Sequence, residues 1–405
     1  MRSGLLLSLL GLAAALGLTV ATGAAPGPST GAAPAPVAAF ALPFRTTDGA
    51  IALGNLDAQI AGLERRDARL PARVRAQLVD LLSARAQFTG SVADRERALD
   101  VAEALVAAQP DDPALRLARA RGRAGLHHFA AALADVEAAA RLGAPPAVVA
   151  AARAGVLQGL GRYDEALALR RAAADAAPTA ETLGALAALQ AERGEVEAAA
   201  ATFARARDAY RDVSPFTVAW LLFDEGLMWM RHDRPERARA LFAEAHRRLP
   251  GYGAAACHLA EVEAELGDVA AAVALLEPLA ARSEDPDPAA QLARILAARG
   301  DADGARRWGE RARGRYDELL ARHPDAFADH GAEFYLAAGA DPQRGLALAE
   351  HNLAVRQTAG AYDLLLDAAE AAGRRDAACA VHRRLGAGGT PALRAAGERA
   401  ASLCG

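Results

Sequence analysis

The residues best equipped for chemistry in this chain are a cluster of histidines and acids: His323, Asp325, Asp329, His330 and Glu333. His330 and Glu333 lie one helical turn apart and could face one ion, with His323 supplied from the loop before them. The same residues flanking a proline-terminated helix read more simply as caps and solvated pairs, so no metal and no cofactor is expected. Catalytic patterns are absent: there is no His-Glu-x-x-His, Gly-x-Ser-x-Gly or Cys-x-x-Cys, and no glycine-rich phosphate loop. All 46 basic residues are arginine, which excludes Schiff-base lysines, a phosphate-cradling lysine and lysine-activated serines. The chain is therefore expected not to be an enzyme. The pair His127-His128 reads as an exposed turn. Recognition chemistry is concentrated in one segment, Pro215 to Arg231, which carries two of the three tryptophans and two of the three methionines. Aromatic, methionine and arginine side chains are the types that concentrate binding energy.

Composition bounds what can hold such residues in place. Hydrophobic residues make up 53% of the 405, but aromatics only 5%, so the interior must be filled by Ala, Leu and Val in close helix contact. Alanine is also the strongest helix former. Arg2 followed by the apolar run Leu5 to Val20 and the small residues Thr22 and Ala24 has the pattern of a secretory signal over residues 1–24, cleaved after Ala24. The alternative is an uncleaved anchor, for which the run falls short of the ~20 residues that span a bilayer. The chain is thus expected to be exported, to the periplasm or outside the cell. Residues 25–47, rich in Pro and Ala, read as a flexible leader. The formal net charge of -4 becomes -5 when Arg2 leaves. An acidic chain with no segregated basic stripe argues against a nucleic-acid partner. Of the three cysteines, Cys257, Cys379 and Cys404, the last two could pair in an oxidising compartment or remain buried thiols.

The elements that would position these groups are legible as a repeat. Ala98, Ala132, Ala166, Ala199, Ala238, Ala272, Ala305, Gly345 and Ala378 mostly recur at steps of 33 or 34 residues, a period that marks stacked helical hairpins. Twelve residues before them, another small side chain occurs at Ala86, Ala120, Ala154, Ala187, Gly226, Ala260 and Ala293. Anything larger at paired small sites would force the helices apart. Gly161, Gly194, Gly267, Gly300 and Gly373 fall between the two helices of their units, and Pro110, Pro178 and Pro250 close second helices. Two steps are long, 39 residues before Ala238 and 40 before Gly345, and each is attributed to a closing proline delayed to Pro215 or Pro324. The copy near Gly345 is the weakest, with Glu333 and Asn352 at sites that are elsewhere small or aliphatic.

The segment Gly161-Arg162-Tyr163-Asp164-Glu165-Ala166, continuing to Pro178, resembles the tetratricopeptide repeat. The resemblance implies an all-α, right-handed superhelical solenoid. It suggests a helical start over residues 48–78, about nine repeats over 79–390 and a capping helix over 391–405. It also implies that the first helices line a concave groove, into which Trp220, Phe223, Leu227, Met230 and Arg231 point, while Trp229 reads as core. Two readings of that segment stay open: a groove for a partner, or bulky filler between two half-arrays. The function expected is a scaffold or adaptor for another envelope or secreted protein, gripping an apolar or helical segment in the groove. The alternative is a ligand- or metal-binding sensor or accessory subunit on the same solenoid. Motifs of this kind specify fold far better than function.

Overall fold

The computed structural model describes residues 42, 44–66, 70–386 and 388–405. The expected signal, and all of the leader before residue 42, lie outside the described residues. Among those described, the chain is entirely helical. Helix α1 (Gly49–Glu64) precedes a series of helical hairpins: α2 (Ala72–Thr89) with α3 (Val92–Ala108), α4 (Pro113–Gly125) with α5 (Phe129–Arg141), and α6 (Pro146–Gly159) with α7 (Tyr163–Ala176). There follow α8 (Ala180–Glu192) with α9 (Val196–Ala209), α10 (Pro215–Arg231) with α11 (Pro235–Arg248), and α12 (Gly253–Glu265) with α13 (Val269–Arg282). The last three are α14 (Asp287–Ala298) with α15 (Ala302–Arg322), α16 (Pro324–Leu336) with α17 (Pro342–Val355), and α18 (Ala359–Ala371) with α19 (Arg375–Leu385). Helix α20 (Pro391–Cys404) packs on the final pair. None of these helices is long and apolar enough to cross a membrane.

Each hairpin turns through one residue in the left-handed region, at Gly90, His127, Gly161, Gly194, Asp233, Gly267, Gly300, Ala340 and Gly373. Glycine adopts it freely because it has no Cβ. The three other residues hold it against a cost of about 1–2 kcal/mol each, imposed by the packing of the helices they join. That packing depends on the small sites. Ala98, Ala132, Ala166, Ala199, Ala238, Ala272 and Ala378 are at most 2% exposed. A Cβ on Gly226 would lie 2.6 Å from the Phe242 ring, and one on Gly345 would lie 2.8 Å from Leu336. Ala305 is the exception, only partly buried.

The two long steps have different structural origins. Helix α9 keeps the ordinary 14 residues, and the extra length goes into the connection to α10 and into α10 itself, which has 17 residues. In the second, α15 is extended to 21 residues. Pro215 and Pro324 are not simply delayed closures, since each occupies the first turn of the following helix, α10 or α16, where proline has no hydrogen bond to lose.

The superhelix winds far enough for its second turn to touch its first. The Gln357 N–H donates to the Leu160 carbonyl at 3.1 Å, and the Ala392 N–H to the Arg193 carbonyl at 3.0 Å. The Ala359 N–H donates to the Tyr163 hydroxyl at 3.2 Å, and the Ala93 N–H to the Glu284 carboxylate at 3.1 Å. His323 meets Glu96 at 2.7 Å, and Arg248 donates to the Phe44 carbonyl at 3.1 Å. Most such partners are 191 to 204 residues apart in sequence, or roughly six repeats of ~34 residues. Val92, Leu126, Leu319, Ala326 and Phe327 form an apolar cluster along this seam. Gly161 and Gly194 are needed there twice over, for their positive φ and because a Cβ would meet Gln357 at 2.2 Å or Ala392 at 2.9 Å. At the chain end, Cys379 of α19 is disulfide-bonded to Cys404 of α20, with Cα atoms 4.8 Å apart. Cys257 is a buried free thiol.

Candidate functional site

Closure of the superhelix turns the concave groove into an interior. On α10, Trp220, Phe223 and Leu227 are only 5%, 4% and 3% exposed, while Met230 and Arg231 at its C-terminal end are partly exposed. The first three are therefore buried, and Met230 and Arg231 are the more accessible of the five. Both tryptophans pack in the core around α10, Trp220 buried and Trp229 partly exposed. Trp220 packs into the space left by Gly184, where a Cβ would lie 2.7 Å from its ring. Trp229 is partly exposed and carries the Arg237 guanidinium 4.6 Å above its ring.

Beside Trp220 and Phe223 lies a partly enclosed cavity of about 120 Å³. Trp220, Phe223 and Asp224 of α10 form one wall, Tyr252 and the α12 residues Cys257 and His258 another, and Asp285 and Asp287 before and on α14 a third. Arg95 of α3 and His330 of α16 complete it. Burial, reinforced by Glu192 of α8, pushes Asp224 up to about 8. Burial also raises Asp287, with His330 opposing and Asp285 assisting. The Cys257 thiol and the Tyr252 phenol are raised well above their ordinary values by burial first and by carboxylates second: Asp287 and Asp285 for the thiol, Asp224 for the phenol. At the thiol and the phenol, neighbouring carboxylates thus add to the effect of burial. Burial works against a charge on His330, but Asp329 and Glu333 raise it well above its ordinary value.

The histidine-acid cluster of residues 323–333 does not converge on one point. His323 pairs with Glu96 at 2.7 Å, Asp325 with His351 at 2.8 Å, Asp329 with Arg356 at 3.5 Å, and His330 with Glu333 at 3.5 Å. Among the described residues no group of three His, Cys, Asp or Glu side chains is arranged to hold a metal ion. His330 alone of the five reaches the cavity. His127 is not the exposed turn residue expected. Its ring stacks on Phe129 with centroids 5.1 Å apart, and its Nδ1 lies 3.1 Å from the Asp325 carbonyl across the seam. Burial and the Arg356 charge push it down to about 3. Asp224, Tyr252, His258, Asp285 and Asp287 escaped the sequence reading because they come from different repeats and share no local spacing.

No family model and no curated protein sequence matches the chain. Among solved structures, the human IFIT1 dimer with m7Gppp-AAAA has a TM-score of 0.51 at 15% identity, covering 87% of this chain and 77% of that one. A monomeric IFIT1 mutant with Gppp-AAAA has a TM-score of 0.50 at the same identity and coverage. The APC/C hetero-tetramer Cut9-Hcn1 has a TM-score of 0.44 at 14% identity, and the match covers 77% of this chain but only 58% of the other. At such identities the likeness is one of fold. Helical hairpins of tetratricopeptide type, stacked into an all-α solenoid, are the architecture of this protein.

Proposed function

We propose that this protein is an exported, non-enzymatic interaction scaffold that holds a segment of a partner protein at the open end of the α10 groove. The observation that carries the reading is the arrangement of α10: Met230 and Arg231 are partly exposed, while Trp220, Phe223 and Leu227 are buried. Buried rings on the same helix as a flexible methionine and a charged guanidinium are the composition of a binding hot spot. The partner segment is short and apolar, matched to the partly exposed thioether of Met230. The cysteine bridge supports export, since disulfides persist in oxidising compartments, and residues 1–24 carry the signal pattern. The m7Gppp-AAAA seen with IFIT1 is a poor guide to this interior, where buried carboxylates oppose a polyphosphate.

Two measurements test the proposal. Expressed with its own N-terminus in a bacterium, the mature chain is expected to begin at Ala25 in the periplasmic fraction; recovery of an intact Met1 form from the cytoplasm removes the exported reading. Capture from the native envelope fraction should yield a defined partner that is lost with Met230→Glu, the melting temperature of the variant being measured alongside because Met230 also packs against the core. Equal capture by the variant overturns the groove assignment. Trp220→Ala and Phe223→Ala are unsuitable for this purpose, because removing either buried ring costs about 3–5 kcal/mol.

A further inference from the structure

We propose that the cavity between α10, α12 and α14 binds a small organic ammonium ion, its charge held by Asp224, Asp285 and Asp287 and its alkyl part against Trp220, Phe223 and Tyr252. This site is separate from the Met230 end of the groove and does not depend on the scaffold reading.

The walls supply both halves of such a recognition. Trp220, Phe223 and Tyr252 are each at most 5% exposed and line the space, and aromatic faces attract a desolvated cation through the ring quadrupole. Tyr252 is 3% exposed, and its hydroxyl has no hydrogen-bond partner among the described residues although it borders the cavity. A buried hydroxyl is normally paired, so an N–H or O–H of a ligand is the natural partner. His258 borders the same space at 4% exposure, with its Nδ1 3.2 Å from Glu261 and its ring against Phe223 and Phe242.

Charge decides the class of ligand. Asp224, Asp285 and Asp287 border the space together with Arg95 and His330; His330 answers Asp287 as well as Asp329 and Glu333, and Arg231 opposes Asp224. A bound cation relieves the remaining repulsion, whereas an anion would add to it. A metal ion fits poorly, because aromatic walls replace the oxygen ligands that a hard cation requires. The volume, about 120 Å³, equals that of about four liquid waters at ~30 Å³ each, which suits an alkylammonium of about four to seven heavy atoms.

Calorimetric titration of the full chain at pH 8 with butylammonium, 1,4-diammoniobutane and choline tests this, with 1-butanol and 3,3-dimethyl-1-butanol as neutral counterparts. At least one ammonium is expected to bind one-to-one and at least tenfold more tightly than its neutral counterpart. Asp224→Asn should weaken it at least tenfold without lowering the melting temperature of the free protein, and Tyr252→Phe should weaken it several-fold. Met230→Glu should leave it unchanged, which keeps this result distinct from the partner assay. Absence of binding by all three ammonium ions at millimolar concentration overturns the proposal, as does equal binding of the neutral counterparts or unchanged affinity in Asp224→Asn.

Discussion

Asp224 illustrates how a single side chain acquires its properties from neighbours remote in sequence. It faces Glu192 from α8, Tyr252 before α12, and Trp220 and Arg231 of its own helix, and its value of about 8 lies far above the 3.8 of a free carboxyl. A folded-state value above the unfolded one means that folding binds a proton between them. The group therefore costs nothing below about pH 4, and stability falls as pH rises toward 8. Glu333, pushed up to about 7 by burial, adds to the same trend. Asp224→Asn is accordingly predicted to match the wild type at pH 4 and to exceed it by about 1–3 kcal/mol at pH 8, read from denaturant midpoints at the two values. A constant difference at both would show that ionisation plays no part. None of this is legible locally: residue types single out Trp220 and Phe223, but no spacing rule brings Asp224 to Tyr252 or Asp287.

At the scale of the helix, the small sites were legible because close contact between paired helices recurs with the repeat. Their physical content is testable with glycines that differ only in surroundings. A Cβ on Gly226 meets the Phe242 ring at 2.6 Å, whereas one on Gly314, inside α15, meets nothing within 4 Å. Gly226→Ala is predicted to destabilise the protein by about 1–3 kcal/mol through overpacking, and Gly314→Ala to stabilise it by about 0.5–1 kcal/mol through backbone entropy and helix propensity. Equal effects of the two in urea melts would remove the contact argument. The irregular elements were legible only as irregularities. A step of 39 or 40 residues does not say whether a helix lengthens or a connection does; the chain lengthens both at α10 and the helix alone at α15.

For the whole molecule, the decisive feature is the seam between superhelical turns. Gly161→Ala and Gly267→Ala both force alanine into a positive φ, of 80° and 93°, but only the Gly161 Cβ would strike the opposite turn; that of Gly267 meets nothing within 4 Å. Both are predicted to lose about 1 kcal/mol or more. Only Gly161→Ala should also enlarge the radius of gyration in small-angle X-ray scattering, by opening the seam at Gln357; equal dimensions for the two would mean that the turns are not held there. The sequence by itself determined the helices, their pairing, the glycine turns and the repeat, because these follow from propensity, from local capping and from contacts between segments one repeat apart. Only the tertiary structure decided that distant turns meet along a seam, that Trp220 is buried and Trp229 only partly so, that His323, Asp325 and Asp329 go to separate partners while His330 keeps Glu333, and that Asp224, Tyr252 and Asp287 share a cavity. The reason is the accumulation of curvature. Small rotations between successive repeats, each too slight to leave a mark on its own residues, add up over six repeats and bring together groups nearly two hundred residues apart.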